Sequence, residues 1–201
     1  MLTKPPLFNP NGSDERVNVS IFEADTTGLV YLDNVRYPKA YQLYRTMCEA
    51  IWFPERTSLS QDVTDYTWLS PEEKRAFKGI LSFLIYLDSL QVGALTSIQD
   101  AITAKEVQIC VSAQNFFETI HSWSYQHMLS SIIPDQKERD EVYYFWKTDD
   151  VLRKRCEFIA ERYETYRRNP NKENLWKALI TDLALEGIYF YQGLISSPLA
   201  S

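Results

Sequence analysis

Apolar residues recur along most of this chain at spacings of three and four, the period of helices that bury one face. The first such run is "PKAYQLYRTMCEAIWF" (38–53), where Pro38 suits the first helical position and Pro54 ends the run, with a loop expected after it. "SPEEKRAFKGILSFLIYLDSLQVGAL" (70–95) begins with Ser70, Pro71 and Glu73, the residues of a capping box. Thr103 and Glu106 predict a second box, opening a helix that Pro134 closes. Amphipathic helices are then expected over 135–147 and 151–168, and "NPNKEN" separates them from a last helix over 175–194. Residues 1–36 show no such period and predict an irregular lead with at most a short strand near "GLVYL" (28–32). No strand alternation of any length occurs, so the fold class is all-α, a helical bundle with long central helices.

Polar residues intrude into these apolar helices at a few places. In "FFETIHSWSYQHM" (116–128), Glu118, His121 and Tyr125 fall on one stripe of a helix that is apolar nearly all round and expected to be buried. Asp88 and Glu186 each lie within a helix flanked by apolar residues for a turn on both sides. A buried carboxylate without a partner raises its pKa and neutralises, whereas a shared cation lets several stay ionised. Asp88, Glu118, His121 and Glu186 would form such a site if their three helices were neighbours. Oxygen donors with an imidazole suit iron or manganese better than zinc. Taken singly, an ExxH pair is usually incidental and a buried acid more often meets Lys or Arg. Here the acids lie on separate apolar helices, with Lys177 the one basic residue of the last helix, well before Glu186.

Composition narrows the class. Twenty-one Lys and Arg against 27 Asp and Glu in 201 residues give a net charge of -6, which argues against a binder of phosphate backbones and so against nucleic acid. No run of 18 apolar residues and no secretory leader is visible, so no membrane and a cytoplasmic location are expected. Cys48, Cys110 and Cys156 are far apart in helical apolar patterns, which predicts free core thiols.

"LDSLQ" around Asp88, "ETIHSWSY" from Glu118 to Tyr125, "LEGIYFY" around Glu186 and the upstream "IWFPERTSLSQDVTDY" together resemble the small (beta) subunit of class I ribonucleotide reductase, over about residues 5–194. The resemblance implies a ferritin-like helical domain over 37–201 after the lead, and a dinuclear iron or manganese/iron site with Asp88, Glu118, His121 and Glu186 as ligands. It also implies a radical on Tyr125 with Phe190 a candidate shield, and Trp52 on a long-range electron path, where an aromatic anchor at a helix end is the plainer alternative. The expected partners are the large (alpha) subunit, which would bind the ribonucleotide, and a second copy of the chain. The match departs from the family toward its end: the second ExxH that completes the family's donor set is absent, since the other histidine, His127, lies on another face of the same helix, the acidic relay residue of that motif and the tail that docks on the large subunit are absent with it, and "GLISSPLAS" departs from the family's aromatic-rich continuation. The expectation is therefore an incomplete bundle and an incomplete metal site, with a truncated or split gene, or a second fragment supplying the missing helices. A ferritin-like metal oxidase acting on its own substrate and an inactive helical remnant are the alternatives.

Overall fold

Ser70 does what its neighbours predict. Its hydroxyl accepts from the Glu73 backbone N–H at 3.2 Å, and the Glu73 carboxylate accepts from the Ser70 N–H at 2.8 Å. This box starts the longest helix of the computed structural model, which describes residues 2–191. Over those residues the helices are α1 (Pro38–Glu49), α2 (Ser60–Trp68), α3 (Pro71–Gln99), α4 (Lys105–Ile132), α5 (Gln136–Thr148), α6 (Asp150–Arg168) and α7 (Lys172–Ala184). The fold is all-α, and the described residues form no strand; their one β feature is an isolated bridge between Phe22 and Ile102.

α3 is the axis of the bundle, packing against α4, α5 and α6, while α1 and α2 lie on α4 and α7 lies on α6. It takes part in both core clusters. Phe83 and Leu87 pack with Ile159 and Tyr163 of α6 and Leu175 of α7, and Phe77 and Leu81 pack with Leu129 and Ile132 of α4 and Val142 of α5. α3 is long and apolar enough to cross a membrane by length and composition alone. Its packing on three helices and its buried Asp88 and Gln91 are those of a core helix.

Several local features differ from the expectation. α1 ends at Glu49, which frees residues 51–53 to turn back over α4, and the loop expected after it contains a short 3-10 turn (Pro54–Arg56) and α2. The apolar pattern of α2 is too brief to stand out, resting on little more than Val63 and Tyr66. The box at Thr103 does not form, and Ala104 is the N-cap of α4. The Thr103 hydroxyl instead donates to the Ser20 carbonyl at 2.8 Å, and Glu106 accepts from the backbone N–H groups of Arg36 and Tyr37, both at 2.9 Å. Those long-range bonds satisfy orphan donors at the start of α1, an outcome that local spacing does not reveal.

The lead is irregular and sewn to the helices, with Leu2 buried in the first core cluster and its N–H on the Pro170 carbonyl. Residues 28–32 are not a strand, and Gly28 has φ +89°. Of the cysteines only Cys156 is buried. Cys48 is exposed because α1 lies on the surface and buries none of its residues fully. α4 is likewise open on one side, where α3 and α1 leave Phe116 and Trp123 exposed. The last helix changes character after Ala184: Leu185–Phe190 is a π-helical turn, and residues 192–194 of the expected span lie outside the described residues.

Candidate metal centre

α3 and α4 run side by side and bring Asp88 against Glu118 and His121. Asp88 follows Leu87, and both are buried because this face of α3 points into the bundle. Glu118 and His121 are one turn apart on α4 and meet on the same stripe. Nδ1 of His121 lies 3.2 Å from Glu118 Oε2 and 3.6 Å from Asp88 Oδ2. One donor atom from each residue lies within 4.8 Å of the others, a spacing that a single cation can bridge.

The electrostatics of this triad are those of excess negative charge. The ion pairs that reach Asp88 and Glu118 come from His121 alone among the described residues. Burial pushes the Asp88 carboxyl up to about 7, the Glu118 charge adds to the rise, and Tyr125 and His121 oppose it. The hydrogen bond to Glu118 raises the His121 imidazole. Both carboxylate oxygens of Asp88 are buried, with no hydrogen-bond partner recorded among the described residues. An orphaned acceptor pair in a core is costly, by roughly 1–3 kcal/mol or more per group, unless something else satisfies it. Two carboxylates and an imidazole, with free oxygens turned inward, fit a hard or borderline divalent cation.

Glu186 stands outside the triad. It sits on the π-helical turn at an exposed position, and its Oε1 accepts from Gln91 Nε2 at 2.6 Å. Partial burial raises its pKa, with Glu118 and Asp182 adding to the rise and Gln91 opposing it. π-Turns within helices recur at functional sites because the wider turn displaces one side chain from the α-helical register. Lys177, the cation nearest to it in sequence on that helix, is taken by Glu173 at 2.6 Å.

Tyr125 lies one turn beyond His121 with its phenol facing Asp88, and burial and that carboxylate push its pKa far up, so the phenol is neutral. It packs against the second core cluster, to which Leu81, Ile85 and Leu129 belong, whereas Phe190 packs against the first. Trp52 is in the stretch after α1, 39% exposed, with its ring centroid 6.5 Å from that of His121. Gln91, Asp182 and Tyr163 escape a reading of the sequence, although Gln91 is three residues after Asp88 and Asp182 four before Glu186, on the stripes of the candidate acids.

Residues 29–197 match the family described as ribonucleotide reductase, small chain. The chain belongs to that family. It is 40% identical over 194 residues to the ribonucleoside-diphosphate reductase subunit beta of Aquifex aeolicus, covering 96% of this chain and 28% of the relative. Among solved structures, the ribonucleotide reductase R2 subunit from Clostridium botulinum superposes with a TM-score of 0.92 at 36% identity, covering 96% of this chain and 60% of that one. The dimanganese(II)-NrdF of Streptococcus sanguinis shares the fold at a TM-score of 0.72 and 23% identity, covering 83% of this chain and 56% of that one. The chain thus spans well under two thirds of the length of each of these relatives.

Proposed function

We propose that this chain is the radical-generating small subunit of a ribonucleoside-diphosphate reductase, an oxidoreductase component that hands an oxidising equivalent to a large subunit for deoxyribonucleotide synthesis. The observation that carries the reading is the meeting of Asp88, Glu118 and His121, with both Asp88 oxygens buried and, among the described residues, no lysine or arginine paired with them. When bound, a dinuclear iron, manganese or manganese/iron centre supplies the one-electron oxidation. The Streptococcus sanguinis neighbour is a dimanganese(II) protein, which supports a metal pair of this kind.

The chain's own residues have definite parts in this reading. Asp88, Glu118 and His121 bind the metal, with Glu186 joining from the π-turn; the family pattern's second ExxH would add donors that these 201 residues do not contain. Tyr125 is the residue oxidised. A buried phenol with so high a pKa cannot lose an electron without also losing its proton, and Asp88 is the carboxylate facing it. The apolar cluster around Tyr125 keeps water and reductants away. Trp52 lies against His121 and joins the site to the surface, where the large subunit would dock. Assembly as a homodimer and a cytoplasmic location belong to the same reading.

The test is electron paramagnetic resonance after loading with ferrous iron and exposure to oxygen, on the chain with any further segment or partner chain that its metal pair needs. A tyrosyl signal that Tyr125→Phe abolishes, with metal content unchanged, is the expected result. An undiminished signal in that variant overturns the role of Tyr125.

A further inference from the structure

Beside the triad lies a second polar group that the proposed chemistry leaves unused. Gln91, one turn after Asp88 on α3, is fully buried. Its Nε2 donates to Asp182 Oδ1 at 3.1 Å and to Glu186 Oε1 at 2.6 Å. Both acceptors are carboxylate oxygens, so the amide must turn its nitrogen toward them. Asp182 in turn accepts from the Tyr163 hydroxyl at 2.8 Å, and Tyr163 is buried in the first core cluster. Three helices thereby converge on one neutral amide: α6 through Tyr163, α7 through Asp182, and α3 through Gln91 itself.

We propose that Gln91 is the positioning residue for Glu186, clamping that carboxylate beside Asp182 and setting its reach toward a cation at Asp88, Glu118 and His121. The proposal rests on the metal-centre reading. Glu186 needs such a clamp, because its side chain is long, its position is at the exposed edge, and the neighbouring Asp182 and Glu118 repel it. The chemistry of the clamp matters as much as its place. A Lys or Arg at position 91 would hold both carboxylates but cancel their charge and remove the demand for a metal. A glutamine holds them with two N–H donors and leaves the negative charge for the cation. Its own Oε1 is buried and, among the described residues, no competing bond pulls the amide out of this orientation.

A double-mutant cycle tests the clamp, with Mn(II) as the probe and free Mn(II) read by electron paramagnetic resonance on the full 201-residue chain. Gln91→Leu and Glu186→Ala should each weaken Mn(II) binding by roughly tenfold or more, the usual cost of losing a group that orients a ligand. The double variant should bind no more weakly than the worse single one, since Gln91 acts through Glu186. Parent affinity in Gln91→Leu, or a double variant that loses the product of the two factors, overturns the proposal. Should Gln91→Leu fail to fold, Gln91→Glu keeps the shape, removes both donors, and should show the same non-additivity. Glu118→Gln separates this test from the metal reading. If it and the parent hold Mn(II) equally, the metal-centre reading fails. The clamp is then decided by the same cycle in thermal unfolding under chelator, where additive shifts in melting temperature overturn it and non-additive ones support it.

Discussion

α3 carries two polar knots, one half-buried and one buried, that behave as opposites. Near its start, Lys78 pairs with Glu138 of α5 at 2.9 Å, and the buried Tyr66 of α2 donates to the same carboxylate at 3.1 Å. Nearly three helical turns further along α3, Asp88 meets Glu118 and His121 with, among the described residues, no lysine or arginine paired with it and no hydrogen bond recorded to either oxygen. Lys78 holds the Glu138 carboxyl below the usual carboxylate range, while burial drives Asp88 up to about 7. An acid packed between helices is therefore not by itself the mark of a site. A carboxylate whose charge the fold has answered ties helices together, and one left unanswered asks for a cation from outside.

The sharpest way to break this comparison is to remove one acid from each knot and measure divalent metal. Glu118→Ala should lower Mn(II) affinity by a hundredfold or more, on the order of 3 kcal/mol, because it removes a charged donor from a set of three. Glu138→Ala should leave the affinity within about twofold, with only stability lowered. Equal effects from the two substitutions, measured by calorimetric titration, would erase the distinction.

Acidity sharpens it next, because the knots should respond to pH with opposite signs. Asp88 has a folded pKa of about 7 against 3.8 for the ordinary side chain, so between those values the folded protein holds a proton that the unfolded chain releases. Its contribution is fully present below about 3.8 and is lost as the pH rises through about 7, an effect on the order of 4 kcal/mol in the chelated protein. The raised His121 works in the same direction. Glu138, held low by Lys78, contributes stability that is present above the ordinary glutamate value of 4.5 and lost as the pH falls through its lower folded value. The melting temperature of the chelated chain should fall from pH 5 to pH 8, and Asp88→Asn should flatten that slope. Saturating Mn(II) should flatten it as well, since a cation takes the place of the proton. A slope that Asp88→Asn leaves unchanged would show that other groups set it.

How much of this could be read from the sequence follows from the range of each interaction. The triad was legible because its signals are local: an ExxH stripe fixes its own geometry on one helix, and Asp88 is conspicuous as an acid within an apolar run. The long core helices were legible for the same reason, as was the Ser70 box. The Thr103 and Glu106 pair looked equally local and was not, since each found a better partner about 70 to 80 residues away in the lead. Glu186 shows the same limit. Its spacing predicts an α-helical position facing the other acids, but the π-turn shifts its register and Gln91 from another helix takes its oxygen. The i,i+3 spacing in "LDSLQ" places the glutamine on the stripe of the aspartate, but it does not announce which partners from other helices the amide meets. Cys48 was misjudged because an apolar neighbourhood in sequence says nothing about whether the helix lies at the surface.

The smallest expected effect comes from a matched pair of tyrosines, each with its phenol toward one of the two carboxylates. Tyr66→Phe removes a hydrogen bond to a carboxylate that retains its lysine, and it keeps the ring contact with Phe77 at 5.4 Å. The loss should be about 1 kcal/mol of stability, within the usual range for one hydrogen bond to a partly exposed group, with no change in metal binding. Tyr125→Phe removes a hydroxyl facing a carboxylate that no lysine or arginine among the described residues pairs with, so Asp88 should become harder to ionise. The melting temperature of the chelated Tyr125→Phe chain should therefore go on falling to a higher pH than that of the parent, while the Tyr66→Phe curve keeps the parental shape and lies lower throughout. If the two curves instead shift together without a change of shape, the Tyr125 hydroxyl is only another structural phenol, and the contrast between the two ends of α3 loses its most local support.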